Sequence, residues 1–304
     1  MRELHSSEAI RGVVSVYHGR NDMAKCNVCF RHCEINEGGI GFCGGRGCAD
    51  GKVRSINYGQ ITSLALDPIE KKPLNRFYTG SKIISVGSYG CNLRCPFCQN
   101  DDISWSEQAL SYAGKDELDT LMPEELVEIA EKYRDRGNIG IAFTYNEPLI
   151  GYEYVRDTAR LSHEKGMKNV LVSNGTATPD ILEEILPYID AMNIDLKGFT
   201  EKYYSLVGGN LEMTKEFIRR AVRSCHVEIT TLIIPGENDS EEEIRSISEW
   251  IADLKPGGNE IPYHISRFFP RFKMTDRGPT DVKLIYRLAD IAREKLKYVY
   301  TGNC

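Results

Sequence analysis

From Lys82 onward, short runs rich in β-branched residues alternate with stretches of helical period, and that alternation leaves few folds open. Runs at 82–88, 139–145, 168–173, 191–196, 226–234 and 261–268 read as strands. Between them, Leu126, Ile129, Ala130 and Tyr133 share one helical face, with Gly137 as its stop. Thr178 caps a helix with Pro179 at its first position and Ile181, Leu182, Ile185 and Ile189 on its apolar side. Ser240 and Glu243 form a capping box ahead of Ile244, Ile247, Ile251 and Leu254. A last helix over 280–296 presents Ile285, Leu288, Ala292 and Leu296, and a strand-like run, Tyr298-Val299-Tyr300, follows. Strands joined through helices pair parallel, so the expected class is α/β. Six such units are too few to close an eight-stranded barrel.

The first run closely precedes Cys91-Asn92-Leu93-Arg94-Cys95-Pro96-Phe97-Cys98, and the next cysteine is far off at Cys225. An iron–sulfur cube normally takes four cysteine ligands, so a tight trio suggests a cluster with one iron left open. Zinc would want a fourth Cys or His nearby to close its tetrahedron, and none is there. The C-x3-C-x2-C spacing resembles that of the radical S-adenosylmethionine (SAM) enzymes, in which the amino and carboxylate groups of SAM chelate the open iron. Phe97 holds the aromatic position that this family favours. The resemblance implies a partial (β/α)6 TIM-like barrel, here residues 76–304, with Cys91, Cys95 and Cys98 as ligands of a 4Fe–4S cluster and Phe97 in the wall of the SAM site.

Residues 1–75 form a separate compositional unit, a small Cys-rich segment and linker holding Cys26, Cys29, Cys33, Cys43 and Cys48. Its stretch from Glu37 to Cys48 is too rich in glycine to order without help. Cys26, Cys29, Cys33 and Cys43 are candidates to enclose an auxiliary 4Fe–4S cluster or a zinc ion, or are reduced structural thiols; Cys48 could stand in for one ligand. Asp67 to Leu74 reads as a linker, extended around Asp67 and Lys72 because each precedes a proline.

A net charge of −6 without a Lys/Arg-rich block argues against an electrostatic platform for nucleic acid. Met1–Gly12 lacks the apolar core of a signal peptide, and no apolar run is long enough to span a bilayer, so the expected compartment is the cytoplasm. Ten cysteines in that compartment read as metal ligands or reactive thiols rather than disulfides.

In a parallel β/α barrel, chemistry gathers where strands end. The second run enters Thr144-Tyr145-Asn146-Glu147-Pro148, where a carboxylate before proline faces the mouth. Radical SAM enzymes carry there a Gly-Gly-Glu-Pro-like motif that holds the ammonium of SAM; Asn146 and Glu147 are therefore candidates for cofactor binding. Ser173-Asn174-Gly175 resembles the polar rim that lies near SAM in activating enzymes, which adds Ser173 and Asn174. Asp195 and Lys197 are two apart on a strand and share a face, as a salt bridge or as functional groups; the Asp-Leu-Lys triplet also resembles the SAM-contacting one of pyruvate formate-lyase-activating enzyme. The fifth run ends in Ile233-Ile234-Pro235-Gly236-Glu237-Asn238-Asp239, which resembles the rim whose backbone approaches the adenosyl part and adds Ile233 and Pro235. On the sixth, His264 shares a face with Ser266 and is the candidate to touch substrate or donate a proton.

Together, the N-terminal cysteines, Leu66–Leu74, Gly90–Asn100, Tyr145–Pro148 and Asn193–Phe199 resemble the AmmeMemoRadiSam-system radical SAM enzymes, a group similar to pyruvate formate-lyase-activating enzyme. What the resemblance implies is one-electron cleavage of SAM to methionine and a 5′-deoxyadenosyl radical that takes hydrogen from a substrate, a protein-associated one being among the candidates. It further implies a low-potential flavodoxin- or ferredoxin-like donor, and Memo-like and AMMECR-like partners. Two alternatives stand beside it, an activase for a glycyl-radical enzyme and a non-catalytic iron–sulfur electron carrier.

Overall fold

The computed structural model describes residues 23–115 and 118–304; Met1–Gly12, read above for a leader, lies outside them. Two hairpins come first, β1 (Met23–Lys25) with β2 (Glu34–Asn36) and β3 (Arg46–Ala49) with β4 (Lys52–Ser55). The short β5 (Gln60–Ile61) later pairs with β8 (Asp119–Thr120). The remaining strands are β6 (Ser63–Pro68), β7 (Lys82–Gly87), β9 (Asn138–Phe143), β10 (Lys168–Ser173), β11 (Ala191–Asp195), β12 (His226–Ile233), β13 (Tyr263–Arg267) and β14 (Val299–Gly302). They form one sheet in the order β14-β13-β12-β11-β10-β9-β7-β6. All pairs are parallel except β6 with β7. Among the described residues β14 and β6 do not pair, so the barrel stays open along one side.

Each of the six expected strands is present with ends within two residues, and the run at Tyr298–Tyr300 supplies a seventh parallel strand. Residue parity divides the sheet. Ile84, Val86, Ile141, Phe143, Leu171, Met192, Ile194 and Ile229 are buried in the main apolar core. Glu241–Ala252 packs there with Ile244, Ile247 and Ile251 fully buried, each contributing about 1.5–3 kcal/mol. Only half of the expected capping box forms. The Ser240 side chain accepts from Glu243 N at 3.1 Å, but the Glu243 carboxylate accepts from Phe199 N at 2.6 Å and so holds the chain leaving β11.

The opposite parity is polar, with Ser85, Asn193, Glu228, Thr230 and His264 all buried. Below them Ile69, Leu74, Ile83, Ala142, Val170 and Ala191 make a small separate apolar floor. That floor explains why the expected linker is not a solvated tether. Asp67 and Pro68 belong to β6, Ile69–Lys71 is a 3-10 turn, and Lys72 sits at φ −94°, ψ 25° rather than extended. Ile69 and Leu74 are fully buried, and the turn carries Lys72 inward to pair with Asp67 at 2.8 Å, with 2% and 7% of the side chains exposed. Tyr145 donates its hydroxyl to the same carboxylate at 2.6 Å; burial opposes the Asp67 charge, but Lys71, Lys72 and Tyr145 as donors hold its pKa well below the usual carboxylate range.

Candidate active site

β7 ends at Gly87, and the loop that follows is held from several sides. Asn146 accepts from Ser88 N at 3.1 Å and donates to the carbonyls of Tyr89 and Gly90, each at 3.1 Å. Gly90 has φ +91°, and a Cβ there would stand 2.5 Å from the Cys43 carbonyl, so only glycine fits. Beyond it, Arg94 donates to the carbonyls of Cys91 and Leu93 at 2.7 Å each, and Trp105 Nε1 to that of Cys95 at 3.2 Å. The three thiols are therefore presented by a braced loop. Cys91 Sγ accepts from Leu93 N at 3.4 Å and from the Asn174 amide at 3.9 Å. Burial, with the nearby Glu147 and Cys95, pushes the Cys91 thiol well up, and burial pushes Cys95 up to about 12 and raises Cys98. Thiols so placed ionise only against a cationic partner, which is the chemistry of a metal or cluster ligand.

Glu147 faces this loop from the end of β9. Its Oε1 accepts from Ser173 Oγ at 2.8 Å and from Leu149 N at 3.0 Å, and its Oε2 from Asn174 N at 2.8 Å. Burial pushes its pKa up to about 7 against those three donors. An ionised carboxylate offers about four acceptor positions, so about one remains for a further donor. Asn174 also donates to Asn92 Oδ1 at 2.9 Å, and Asn92 donates to Thr176 Oγ1 at 2.9 Å, tying the cysteine loop to the end of β10. Asp195 and Lys197 pair at 2.7 Å. Burial works against the Lys197 charge, but Asp195 and Cys95 together raise its pKa.

The structure thus brings Cys91, Cys95, Cys98, Glu147, Ser173, Asn174, Asp195 and Lys197 to one mouth, and it moves four other candidates elsewhere. Asn146 has its polar atoms engaged by residues 88–90 and acts as a clamp on the loop. Ile233 is fully buried in the main core, because on β12 it is Glu228, Thr230 and Leu232 that face inward. Its carbonyl accepts from Thr280 at 2.6 Å, and that of Pro235 accepts from Arg277 at 2.9 Å. Phe97 is buried edge-on to Phe268, at 6.5 Å and 89°.

His264 is the clearest correction. It is the second residue of β13, two positions below Ser266 on the same face, and its Nε2 lies 2.6 Å from Glu228 Oε2. Glu228 also meets His226 at 3.0 Å and accepts from Asn75 N and Arg76 N at 3.0 and 2.7 Å, so it anchors the loop that floors the barrel. Burial opposes its charge, but the two imidazoles and two amides hold its pKa down to about 2. A proton donor at the mouth is not what this imidazole can be. Glu228 carries no motif of its own, although His226 two positions earlier on the same strand face marks it as a partner.

The N-terminal hairpins lie against this same loop. Cys26, Cys29, Cys33 and Cys43 line one pocket, and Cys48 lies apart from it, with its thiol directed at Glu37 Oε2 3.7 Å away. Burial raises Cys29 and pushes Cys43 up to about 12.

The Radical SAM superfamily pattern matches residues 85–247, and the chain belongs to that superfamily; it is an enzyme of the class that uses a 4Fe–4S cluster and SAM. More particularly, it is 39% identical over 287 residues to an uncharacterized protein of Methanocaldococcus jannaschii, a match covering 93% of this chain and 82% of the relative. It is 27% identical over 186 residues to the pyruvate formate-lyase 1-activating enzyme of Escherichia coli K12, covering 58% and 71%. The fold is similar to that of Streptococcus suis SuiB bound to S-adenosylmethionine, with TM-score 0.55, 15% identity and coverage of 73% and 52%. Superfamily membership removes the non-catalytic electron carrier as an account of the chain. No helix among the described residues is long and apolar enough to cross a membrane.

Proposed function

We propose that Cys91, Cys95 and Cys98 hold the 4Fe–4S cluster, that SAM completes it, and that the polar barrel interior receives the substrate. The observation that carries this reading is Glu147, a buried carboxylate fixed by three donors beside a three-thiol loop with acceptor capacity left for a cation. When bound, the cluster and SAM supply one-electron cleavage to methionine and a 5′-deoxyadenosyl radical. The chain's own part is placement. Glu147 accepts from the amino group of SAM, Ser173 and Asn174 fix that carboxylate, and Asn174 and Leu93 N donate to Cys91 Sγ, where such hydrogen bonds would tune the potential of a cluster that this thiol ligates. Asp195, with Lys197 as its neutralising partner, supplies the polar edge across the mouth. Phe97 supports the loop from behind.

The substrate is proposed to be protein-associated, with Memo-like and AMMECR-like proteins as partners. Support comes from the N-terminal cysteine arm and the Leu66–Leu74 segment, on which the resemblance to that system rests. Superfamily members draw electrons from reductants such as flavodoxin or ferredoxin, and the same donor class is proposed here. A second reading, an activase for a glycyl-radical enzyme, is favoured by likeness to activating enzymes, including 25% identity over 252 residues to an indoleacetate decarboxylase activating enzyme.

Anaerobic incubation with dithionite and SAM tests the core reading. Formation of 5′-deoxyadenosine by the wild type and its loss in Cys95→Ala is the expected result; equal behaviour of the two would end it. Mass spectrometry of a co-purified partner separates the two substrate readings. A glycyl radical on that partner selects the activase.

A further inference from the structure

The four N-terminal cysteines and the Cys91 loop are not two independent features. The Cys43 carbonyl accepts from Cys91 N at 3.1 Å, so a residue of one set is hydrogen-bonded to a residue of the other. The β1–β2 hairpin docks on the barrel beside them, through Thr178 N to Val28 O at 2.9 Å and Thr178 Oγ1 to Asn27 O at 2.8 Å. Arg31 spans the junction, donating to Asn92 O at 2.7 Å and to Gly208 O at 2.6 Å. Arg94 approaches from the loop side and donates to the Phe42 carbonyl. Both guanidiniums lie over the Phe42 ring, at 3.5 and 3.8 Å from its centroid.

These two cations are partly buried, and among the described residues every side-chain hydrogen bond either one donates goes to a carbonyl and neither has a carboxylate in an ion pair. The carbonyls and the face of Phe42 offset part of the cost of holding two neighbouring cations there, and an anion beside them would offset more. The groups available are the thiols. Arg31 stands two residues from both Cys29 and Cys33 and donates to the carbonyl of Asn92, next to Cys91, while Arg94 stands between Cys91 and Cys95 and donates to the carbonyl of Phe42, next to Cys43. Two thiolate-ligated centres would supply the missing negative charge from both sides.

The choice between zinc and iron follows from the neighbouring loop. Cys26, Cys29, Cys33 and Cys43 line one pocket with Arg31 and Gly41, and Cys43 is the residue hydrogen-bonded to Cys91. A centre so close to the loop serves it by passing electrons, for which zinc has no second oxidation state and an iron–sulfur cube has one.

From this geometry we infer that Cys26, Cys29, Cys33 and Cys43 ligate a second 4Fe–4S cluster that passes electrons to the cluster of the Cys91 loop, with Arg31 and Arg94 as the shared counter-charge between them. The inference rests on the reading of the Cys91 loop given above. One electron enters the second cluster from a reduced flavodoxin-class donor, oxidising that donor by one electron. It then leaves for the loop cluster, so the second cluster is reoxidised in each turnover. The cysteine arm becomes the electron port of the enzyme.

The test uses the full chain, reconstituted without oxygen. Wild type should hold about eight irons and the triple variant Cys91→Ser/Cys95→Ser/Cys98→Ser about four. After dithionite that variant should keep an electron paramagnetic resonance signal that SAM does not alter. Zinc, or no metal, in the triple variant would overturn the second cluster. The quadruple variant Cys26→Ser/Cys29→Ser/Cys33→Ser/Cys43→Ser should still cleave SAM with dithionite but lose cleavage driven by reduced flavodoxin; equal loss or equal retention with both donors would overturn the relay. If that variant does not fold, freeze-quenched wild type decides. With flavodoxin as donor the SAM-insensitive signal should rise before the SAM-sensitive one, and the reverse order refutes the relay. Should the triple variant keep its iron and still form 5′-deoxyadenosine, the second cluster stands and the assignment of the Cys91 loop fails.

Discussion

Replacing Glu147 by glutamine removes one charge and leaves the shape of the side chain. In the wild type three donors, Ser173 Oγ, Leu149 N and Asn174 N, address the two oxygens at 2.8–3.0 Å. The amide that replaces the carboxylate must turn its NH2 toward at least one of those donors, and it can no longer offer a charged acceptor to the amino group of SAM. A hydrogen bond to a charged group contributes about 1.5–3 kcal/mol, so the dissociation constant of SAM should rise by about 10- to 150-fold. Stability moves differently. Burial lifts the Glu147 pKa from 4.5 to about 7, so the ionised form is the one the fold disfavours. In the cluster-free chain its adverse contribution is absent below pH 4.5, grows as pH rises, and levels off above about pH 7 at about 3 kcal/mol. Glutamine removes that pH-dependent part, which offsets the lost acceptor at pH 8. Calorimetric titration of the reconstituted enzyme with SAM, beside thermal melts of the cluster-free chain from pH 4.5 to 8, measures both. Unchanged SAM affinity, or a wild-type melt as flat with pH as that of Glu147→Gln, would refute the reasoning.

Lys72→Met should leave Asp67 to Lys71 and Tyr145 and cost about 1–3 kcal/mol in urea unfolding, while the double change with Asp67→Asn should cost less, since the carboxylate that lost its buried partner is gone. His264→Leu should destabilise by about 1–3 kcal/mol, because Glu228 loses a partner, yet the folded fraction should form 5′-deoxyadenosine at the wild-type rate per cluster; loss of cleavage would return His264 to the active site. Gly90→Ala should lower bound iron and the melting temperature together, by about 1–3 kcal/mol of strain, because its Cβ has no room beside the Cys43 carbonyl.

The strands and helices were legible because period and parity are local properties. Ile244, Ile247 and Ile251 announce their helix, and the β-branched runs announce their strands whatever lies beside them. Cys91, Cys95 and Cys98 were legible for the same reason, since eight residues contain the whole pattern. What stayed hidden depends on pieces far apart in the chain. Lys72 looked like a solvated charge although Asp67 is only five positions away, because the apolar floor that draws Ile69 and Leu74 inward comes from distant strands, as does Tyr145. His264 looked free because Glu228 lies 36 positions away. Ile233 was placed at the mouth by motif, whereas strand parity, readable from the sequence, already pointed Leu232 inward instead. Arg31 and Arg94 carried no sequence sign of meeting over Phe42.

The central claim is that SAM supplies the ligand the Cys91 loop lacks. Electron–nuclear double resonance of the reduced enzyme, with SAM labelled by nitrogen-15 at the amine and oxygen-17 at the carboxylate, tests it directly. The account predicts couplings from both labels to the cluster, retained in the quadruple N-terminal variant and absent in Cys95→Ala. A reduced cluster in the Cys91 loop that shows no coupling to either label would contradict it.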